Sequence, residues 1–340
     1  MILPETYAAA LALSILSMLC WGSWANTTKL AGPKWRFELF YYDYAFGVLL
    51  AAVIAAFTFG MMGTELSFLD NVSITGKRQI FFAVLAGVIF NLANMLLVAA
   101  ITIAGLAVAF PIGIGLALVV GVVLNYILNP QGNKYLLFGG VAIVLVAIIV
   151  DAMAYAEHSA AQPATLKKKQ SSTGKGIAIS LISGLLMGSF YPIVLLSKQT
   201  EVGLGPYSVA FFFAIGVFVS TFIFNFYFMN LPVQGEPVSF SAYFRGRGSQ
   251  HLLGIAGGVI WCAGAIANFT AASAPQSVQL GPAISYALGQ GATLISALWG
   301  LLVWKEFAGA SGKAKGLIAV ALALFVVGLA LVSIAPLYAR

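Results

Sequence analysis

The chain has 340 residues, of which 61% are hydrophobic and 8% charged, with a formal net charge of +7 at neutral pH. Soluble domains carry about 25% charged residues, so this composition excludes a soluble fold and points to a polytopic membrane protein. The basic excess then reads as a topological signal at span ends rather than as a nucleic-acid surface.

Windows of about 20 apolar residues predict ten membrane helices, over residues 5–28, 37–60, 79–102, 106–128, 135–157, 176–197, 206–230, 251–273, 280–304 and 314–337. Polar and apolar residues do not alternate with a period of two, which disfavours a lipid-facing β-barrel. The first span has no positively charged leader and is expected to be retained. It ends in Trp21-Gly22-Ser23-Trp24, followed by Asn26-Thr27-Thr28 and Lys29. The Asn-Thr-Thr triplet matches a glycosylation acceptor, but the orientation argued below puts it on the cytoplasmic side. The second span opens on FELFYYDYAFG, bringing Glu38 and Asp43 into or near the membrane. The third carries Asn91 and Asn94, three residues apart and so on one helical face. Asp151 lies late in the fifth span.

A polar stretch at 158–174, containing Lys167-Lys168-Lys169, separates five spans from five. The expected organisation is a first five-helix unit at 1–157, a linker at 158–174 and a second unit at 175–340. The sixth span holds Ser189 and Tyr191 next to Pro192, which frees a carbonyl one turn earlier. The eighth places Trp261 and Asn268 seven residues apart on one face, and the ninth, GPAISYALGQGATLISALWG, places Tyr286 and Gln290 four apart on one face. Cys20 and Cys262 both lie in apolar spans, so no structural disulfide is implied.

The two halves echo each other. Gly87-Val88-Ile89 recurs as Gly258-Val259-Ile260, a shift of 171 (258 − 87), and the same shift carries Pro111 onto Pro282. Gly22-Ser23-Trp24 is echoed by Gly188-Ser189-Phe190. A five-span unit that is duplicated re-enters the membrane from the opposite side, giving an inverted repeat with a site near the midplane. Lysines and arginines gather after odd-numbered spans: Lys29, Lys34 and Arg36, then Lys167, Lys168, Lys169 and Lys175, then Lys305, Lys313 and Lys315. Positive-inside bias places that side, with the central loop, in the cytoplasm and both termini outside.

Polar groups inside a bilayer are costly and mark candidate sites. Trp21, Trp24, Asn91, Asn94, Ser189, Tyr191, Trp261, Asn268, Tyr286 and Gln290 form the candidate substrate set. Amides supply donors and acceptors to a neutral solute, and the aromatic rings can stack on a planar base or cover a sugar face. Helix-to-helix bonding is the competing role for the amides. Asp43 is the first proton-coupling candidate and Glu38 the second, with pairing to Lys34 or Arg36 as the competing role for Glu38. No metal, phosphate-loop or catalytic pattern appears: H-E-x-x-H is absent, and Gly174-Lys175-Gly176 lacks the phosphate-loop spacing. No cofactor and no enzyme activity are expected.

Tyr42-Asp43-Tyr44, LLAAVIAAFTFG at 49–60, VVLNYILN at 122–129 and SALWGLLVWKEF at 296–307 resemble the plant ureide permeases and their bacterial relatives. That family sits in the drug/metabolite transporter superfamily of ten-helix carriers, and rhamnose and glucose carriers share the pattern Gly87-Val88-Ile89-Phe90-Asn91 and the run from Trp299-Gly300 to Glu306. The resemblance implies a secondary carrier in the cell membrane, working by alternating access with proton-linked uptake. The implied solutes are ureides or nucleobases such as allantoin, uracil or xanthine, with a sugar as the alternative. It strengthens Asp43 as the coupling residue and makes spans five and ten peripheral, available for a homodimer. A receptor or assembly factor without transport would instead carry a sizeable soluble segment, which the sequence does not show.

Overall fold

The computed structural model describes the chain except for residues 33, 105, 161–172, 200–201, 233–235, 276–277, 279 and 339–340. All its regular elements, among the described residues, are helical: α1 (Tyr7–Ser23), α2 (Asn26–Ala31), α3 (Phe37–Phe57), α4 (Phe68–Ile74), α5 (Lys77–Ala104), α6 (Leu106–Leu128), α7 (Lys134–Ala160), α8 (Thr173–Leu196), α9 (Pro206–Asn230), α10 (Gly248–Ala271), α11 (Pro282–Gln290), α12 (Ala292–Leu298) and α13 (Gly312–Ile334). Helices are what apolar sequence must form in a bilayer, because each satisfies its own backbone groups. Nine stretches among the described residues are long and apolar enough to cross a membrane, and α6 adds a shorter apolar stretch, Ile112–Leu128. The short α4, not expected from the apolar pattern, sits in the loop after α3 and buries Phe68.

Local sequence explains the helix starts. The Thr6 hydroxyl accepts the Ala9 amide ahead of α1, and Ser311 does the same for Ala314 ahead of α13. Pro206 and Pro282 occupy the first positions of α9 and α11, where no amide donor is required. Two crossing stretches are interrupted. The first turns at Trp24 and Ala25 between α1 and α2, and the ninth turns at Gly291 before ending in a π-helical turn at Trp299–Val303. They lie against each other at Gly22, where a Cβ would sit 2.5 Å from the Ala292 carbonyl oxygen. Pro192, by contrast, lies inside a continuous α8 and is buried.

The bundle is knit by close backbone crossings. A Cβ on Gly47 of α3 would lie 2.1 Å from the Ile255 oxygen of α10, and one on Gly258 of α10 would lie 2.0 Å from the Tyr44 oxygen of α3. The pair α5 and α9 repeats this: Gly87 approaches the Phe213 oxygen at 2.1 Å, and Gly216 the Val84 oxygen at 2.2 Å. Small residues at such crossings let helices reach full van der Waals contact, which drives association inside a membrane. At one edge α7 packs along α13, while Val146, Ile149, Met153, Val326 and Val327 point outward and are exposed.

Contacts between helix ends define two faces. On one, Lys29 meets Glu306, Arg36 meets the Glu236 carbonyl, Gln250 meets the Ala31 carbonyl and Lys313 meets Glu157. This is the basic face, and Arg245 and Arg247 belong to it because they precede α10. On the other, Tyr207 bonds the Ile2 carbonyl, Asn71 the Gly203 carbonyl and Lys198 the Ser273 hydroxyl. This is the terminal face.

Gly258→Ala is expected to lower thermal stability in detergent by about 1–3 kcal/mol, because the new methyl overlaps the Tyr44 carbonyl. Gly139→Ala, where nothing lies within 4 Å, leaves the melting temperature unchanged. Equal melting curves for both variants would contradict the crossing.

Candidate functional site

A cavity of ≈ 380 Å³ opens at the centre of the bundle. Five helical stretches supply its main surfaces: Trp21, Trp24, Ala25 and Thr28 from α1 and α2 with their linking turn, Phe90, Asn94, Leu97 and Ile101 from α5, Met187 and Phe190 from α8, Trp261 from α10, and Gln290, Thr293 and Ser296 from α11 and α12. Its floor is aromatic. Trp261 stacks on Phe90 with ring centres 4.3 Å apart and lies nearly parallel to Trp21 at 6.0 Å. The Trp21 indole N–H donates to the Trp261 carbonyl at 3.2 Å, which fixes that pair. Polar groups on the walls are all neutral among the described residues: two amides and three hydroxyls, from Asn94, Gln290, Thr28, Thr293 and Ser296. Such a lining suits an uncharged, polar, flat solute.

Five of the ten sequence-predicted residues meet here: Trp21, Trp24, Asn94, Trp261 and Gln290. The other five lie off the lining, and four of them serve inter-helix packing. Asn91 is fully buried, accepts from the Tyr41 hydroxyl at 2.8 Å and donates to Ser220 at 2.9 Å and Thr221 at 3.1 Å, joining α3, α5 and α9. Asn268 donates to the Ser17 hydroxyl and the Ser285 carbonyl. The Tyr286 hydroxyl reaches the Ala117 and Met187 carbonyls behind the floor. Tyr191 packs on Tyr286 and Phe269. Ser189 turns to its own helix, donating to the Leu185 carbonyl at 2.6 Å beside an outward-facing surface. Helical spacing correctly groups Asn91 with Asn94, which share Tyr41, but it cannot say which of two neighbours reaches empty space. Thr28, Thr293, Ser296, Phe90 and Phe190 were missed as site residues, since hydroxyls and aromatics at these positions look the same in sequence as packing residues.

The cavity is closed toward the terminal face and continues toward the basic one. Beneath it Phe190, Phe213, Phe269, Tyr191 and Tyr286 are all buried and in mutual ring contact. Above it, Thr28 also lines a second hollow with Lys29, Gly32, Trp35, Phe37 and Phe40. One wall of the mouth is bolted together by three rungs between the first and ninth stretches. Trp299 donates to the Ser23 hydroxyl at 2.8 Å, Trp304 to the Asn26 side-chain oxygen at 2.6 Å, and Lys29 to Glu306 at 2.5 Å. The tryptophan and glutamate of the C-terminal motif therefore act on the WGSWANTTK stretch.

Asp43 lies outside the cavity, in a buried cluster near the basic face. Its Oδ1 accepts from the Tyr243 hydroxyl at 2.5 Å, and its Oδ2 lies 2.8 Å from His251 Nδ1. Burial and the adjacent Asp43 carboxylate both push the Tyr243 phenol above its ordinary value, so Tyr243 stays a donor. Trp35 and Tyr243 pack edge-on to the His251 ring. Glu38 is instead paired with Arg36 at 2.7 Å. The cluster was not legible from sequence, because Asp43, Tyr243 and His251 come from three separate segments.

Asn91→Ala is expected to cost about 1–3 kcal/mol of stability, since it leaves the buried Tyr41 hydroxyl without its acceptor and removes the bridge to Ser220 and Thr221. A thermal melt indistinguishable from the parent would remove Asn91 from this bonding role.

The ureide permease family model matches residues 40–175 and 162–335. Ureide permease 1 of Arabidopsis thaliana is 26% identical over 97% of both chains, and ureide permease 2 of the same plant is 26% identical over 96% of both. Probable ureide permease A3 of Vigna unguiculata is 29% identical over 52% of this chain and 49% of its own. A solved crystal structure superposes over 96% of both chains with a TM-score of 0.63 at 18% identity, which shows a shared fold alone. With its multiple membrane-length helices and a family match running through most of its length, the chain belongs to the ureide permease family, whose members are transporters and not enzymes.

Proposed function

We propose that the protein is a secondary carrier of a ureide or nucleobase of the allantoin, uracil or xanthine type. The observation that carries this reading is the cavity: central, uncharged among the described residues, floored by Trp261 and Phe90 and edged by two amide side chains. Allantoin, uracil and xanthine each carry a flat ring and present both N–H and C=O groups, and none has a carboxylate or an ammonium group. Asn94 and Gln290 offer both donor and acceptor to such edges, while the indole of Trp261 offers a face. A sugar could also lie on that face, but the family match favours the ureide class.

Transport would proceed by alternating access between two inverted five-helix units, 1–157 and 175–340, joined by the linker at 158–174. The reciprocal crossings support this arrangement. Gly47 and Gly216 contact α10 and α5 in turn, as Gly258 and Gly87 contact α3 and α9. These are the pairings a two-fold exchange of the halves requires. The cavity continues toward the basic face, which the positive-inside rule assigns to the cytoplasm of a cell-membrane protein. This conformation is therefore inward-open. Closing it would bring the α2–α12 wall toward Ile101 and Ile114, while opening the far side would part the ring cluster around Phe213 and Tyr191.

Proton coupling is assigned to Asp43, with Glu38 as a second and weaker candidate held by Arg36. Protonating Asp43 would weaken its contact with His251 and thereby free the segment at 240–245 from α3 and α10. The outward apolar face of α7 and α13 is the surface for a homodimer.

Liposomes containing the protein are expected to accumulate labelled allantoin, uracil or xanthine when a proton gradient is imposed, and to leave rhamnose and glucose outside. Sugar accumulation without ureide or base uptake would overturn the substrate assignment. Asn94→Ala and Gln290→Ala should each weaken substrate affinity about tenfold, the equivalent of one lost hydrogen bond of about 1.4 kcal/mol. Unaltered affinity in ligand-dependent melting would return both to packing. Asp43→Asn should abolish gradient-driven accumulation while exchange of substrate across the membrane persists. Intact accumulation would exclude it from coupling.

A further inference from the structure

Asp151 poses a separate problem. It belongs to the buried stripe of α7, in register with Val144, Ala147, Ile148 and Ala154, which packs on α13. It is 7% exposed, and its Oδ1 has no hydrogen-bond partner among the described residues. The adjoining core is formed by Ala154, Ala297, Phe307 and Ile318.

Among the described residues, the nearby ionisable groups give it no cation. On its own helix, Tyr155 is one turn on and donates to Glu306 at 2.8 Å, while Glu157 is paired with Lys313 of α13 at 2.8 Å. His158 stacks on Phe307. From the end of the ninth stretch comes Glu306, a like charge, already bound to Lys29 of α2. Lys315 of α13 and Lys305 are exposed, and α6 contributes no ionisable side chain at this end. A carboxylate so placed is unfavourable by several kcal/mol, and the way out is to bind a proton.

We propose that Asp151 is a proton-binding site of this carrier, separate from the Asp43 cluster and occupied in the inward-open conformation. Proton uptake forms one O–H bond on the carboxylate, with the proton drawn from water, and breaks no bond in the protein. The site is connected to the cavity wall through Tyr155, Glu306 and Lys29, because α2, which Lys29 anchors, also presents Thr28 to the cavity. Movement of that wall releases Lys29 from Glu306 and brings a free cation to the neighbourhood of Asp151, which favours loss of its proton. The role in transport rests on the proton-coupled reading above; occupancy of the site does not.

Infrared difference spectroscopy on the full-length protein in lipid reads occupancy directly. At neutral pH the carbonyl stretch of a buried carboxylic acid is expected in the parent, retained in Asp43→Asn and lost in Asp151→Asn. Asp151→Asn should also melt at the parent's temperature at neutral pH. Raising the pH should then lower the parent's melting temperature and leave the variant's unaffected by this group. If Asp151→Asn does not fold, the band in Asp43→Asn decides, and its absence there at neutral pH overturns the proposal. A band undiminished in Asp151→Asn overturns it as well. Neither readout uses a substrate, so failure of allantoin uptake in the parent would count against the carrier assignment and leave the proton site standing.

Discussion

Backbone-to-backbone contact at Gly47, Gly87, Gly216 and Gly258 is the constraint on which the rest of the molecule hangs. In lipid, apolar side chains gain little by meeting one another, so helices associate through close packing. Each of these glycines sets a helix against a neighbour's carbonyl at a distance no side chain would permit. The α3–α10 and α5–α9 pairs are thereby locked, and the space left between them, α8 and the α1–α12 pair becomes the cavity. Its position near the middle of the bundle follows from where the glycines fall along their helices.

Within that frame, polar groups divide into two populations. Asn91, Asn268, Ser285 and Tyr286 are spent on bonds between helices, as hydrocarbon demands of any buried donor. Asn94 and Gln290 line the cavity, although Asn94 also donates to the Tyr41 hydroxyl at 3.0 Å. A membrane protein tolerates amides facing a cavity when water or a ligand completes their bonding. The described lining residues carry no charged side chain.

Charge has been moved to the periphery of the cavity. The Lys29–Glu306 pair ties the first stretch to the ninth, Asp43 with His251 and Tyr243 ties α3 to α10, and Asp151 lies against α13 with its Oδ1 unpartnered among the described residues. All three lie toward the basic face. Neither aspartate is on the cavity lining; each lies where helices meet, Asp43 with Tyr243 and His251 and Asp151 on the buried stripe of α7.

Composition and apolar spacing determined the membrane class and nearly every membrane-length helix among the described residues, because burial in lipid selects hydrophobic runs of a set length whatever they pack against. The echo of Gly87-Val88-Ile89 at Gly258 was legible for a similar reason: a crossing that needs a missing side chain leaves a glycine at each of the two positions. Trp21, Trp24, Asn94, Trp261 and Gln290 could be nominated because polar and aromatic groups are conspicuous in apolar sequence. Only tertiary structure separated Asn94 from Asn91, or Gln290 from Tyr286, since residues on one helical face differ in whether the neighbouring helix stands close or apart. The Asp43 cluster, the Trp299, Trp304 and Glu306 rungs and the isolation of Asp151 were decided there too. Each depends on side chains brought together from segments far apart in the chain, and no local pattern encodes that distance.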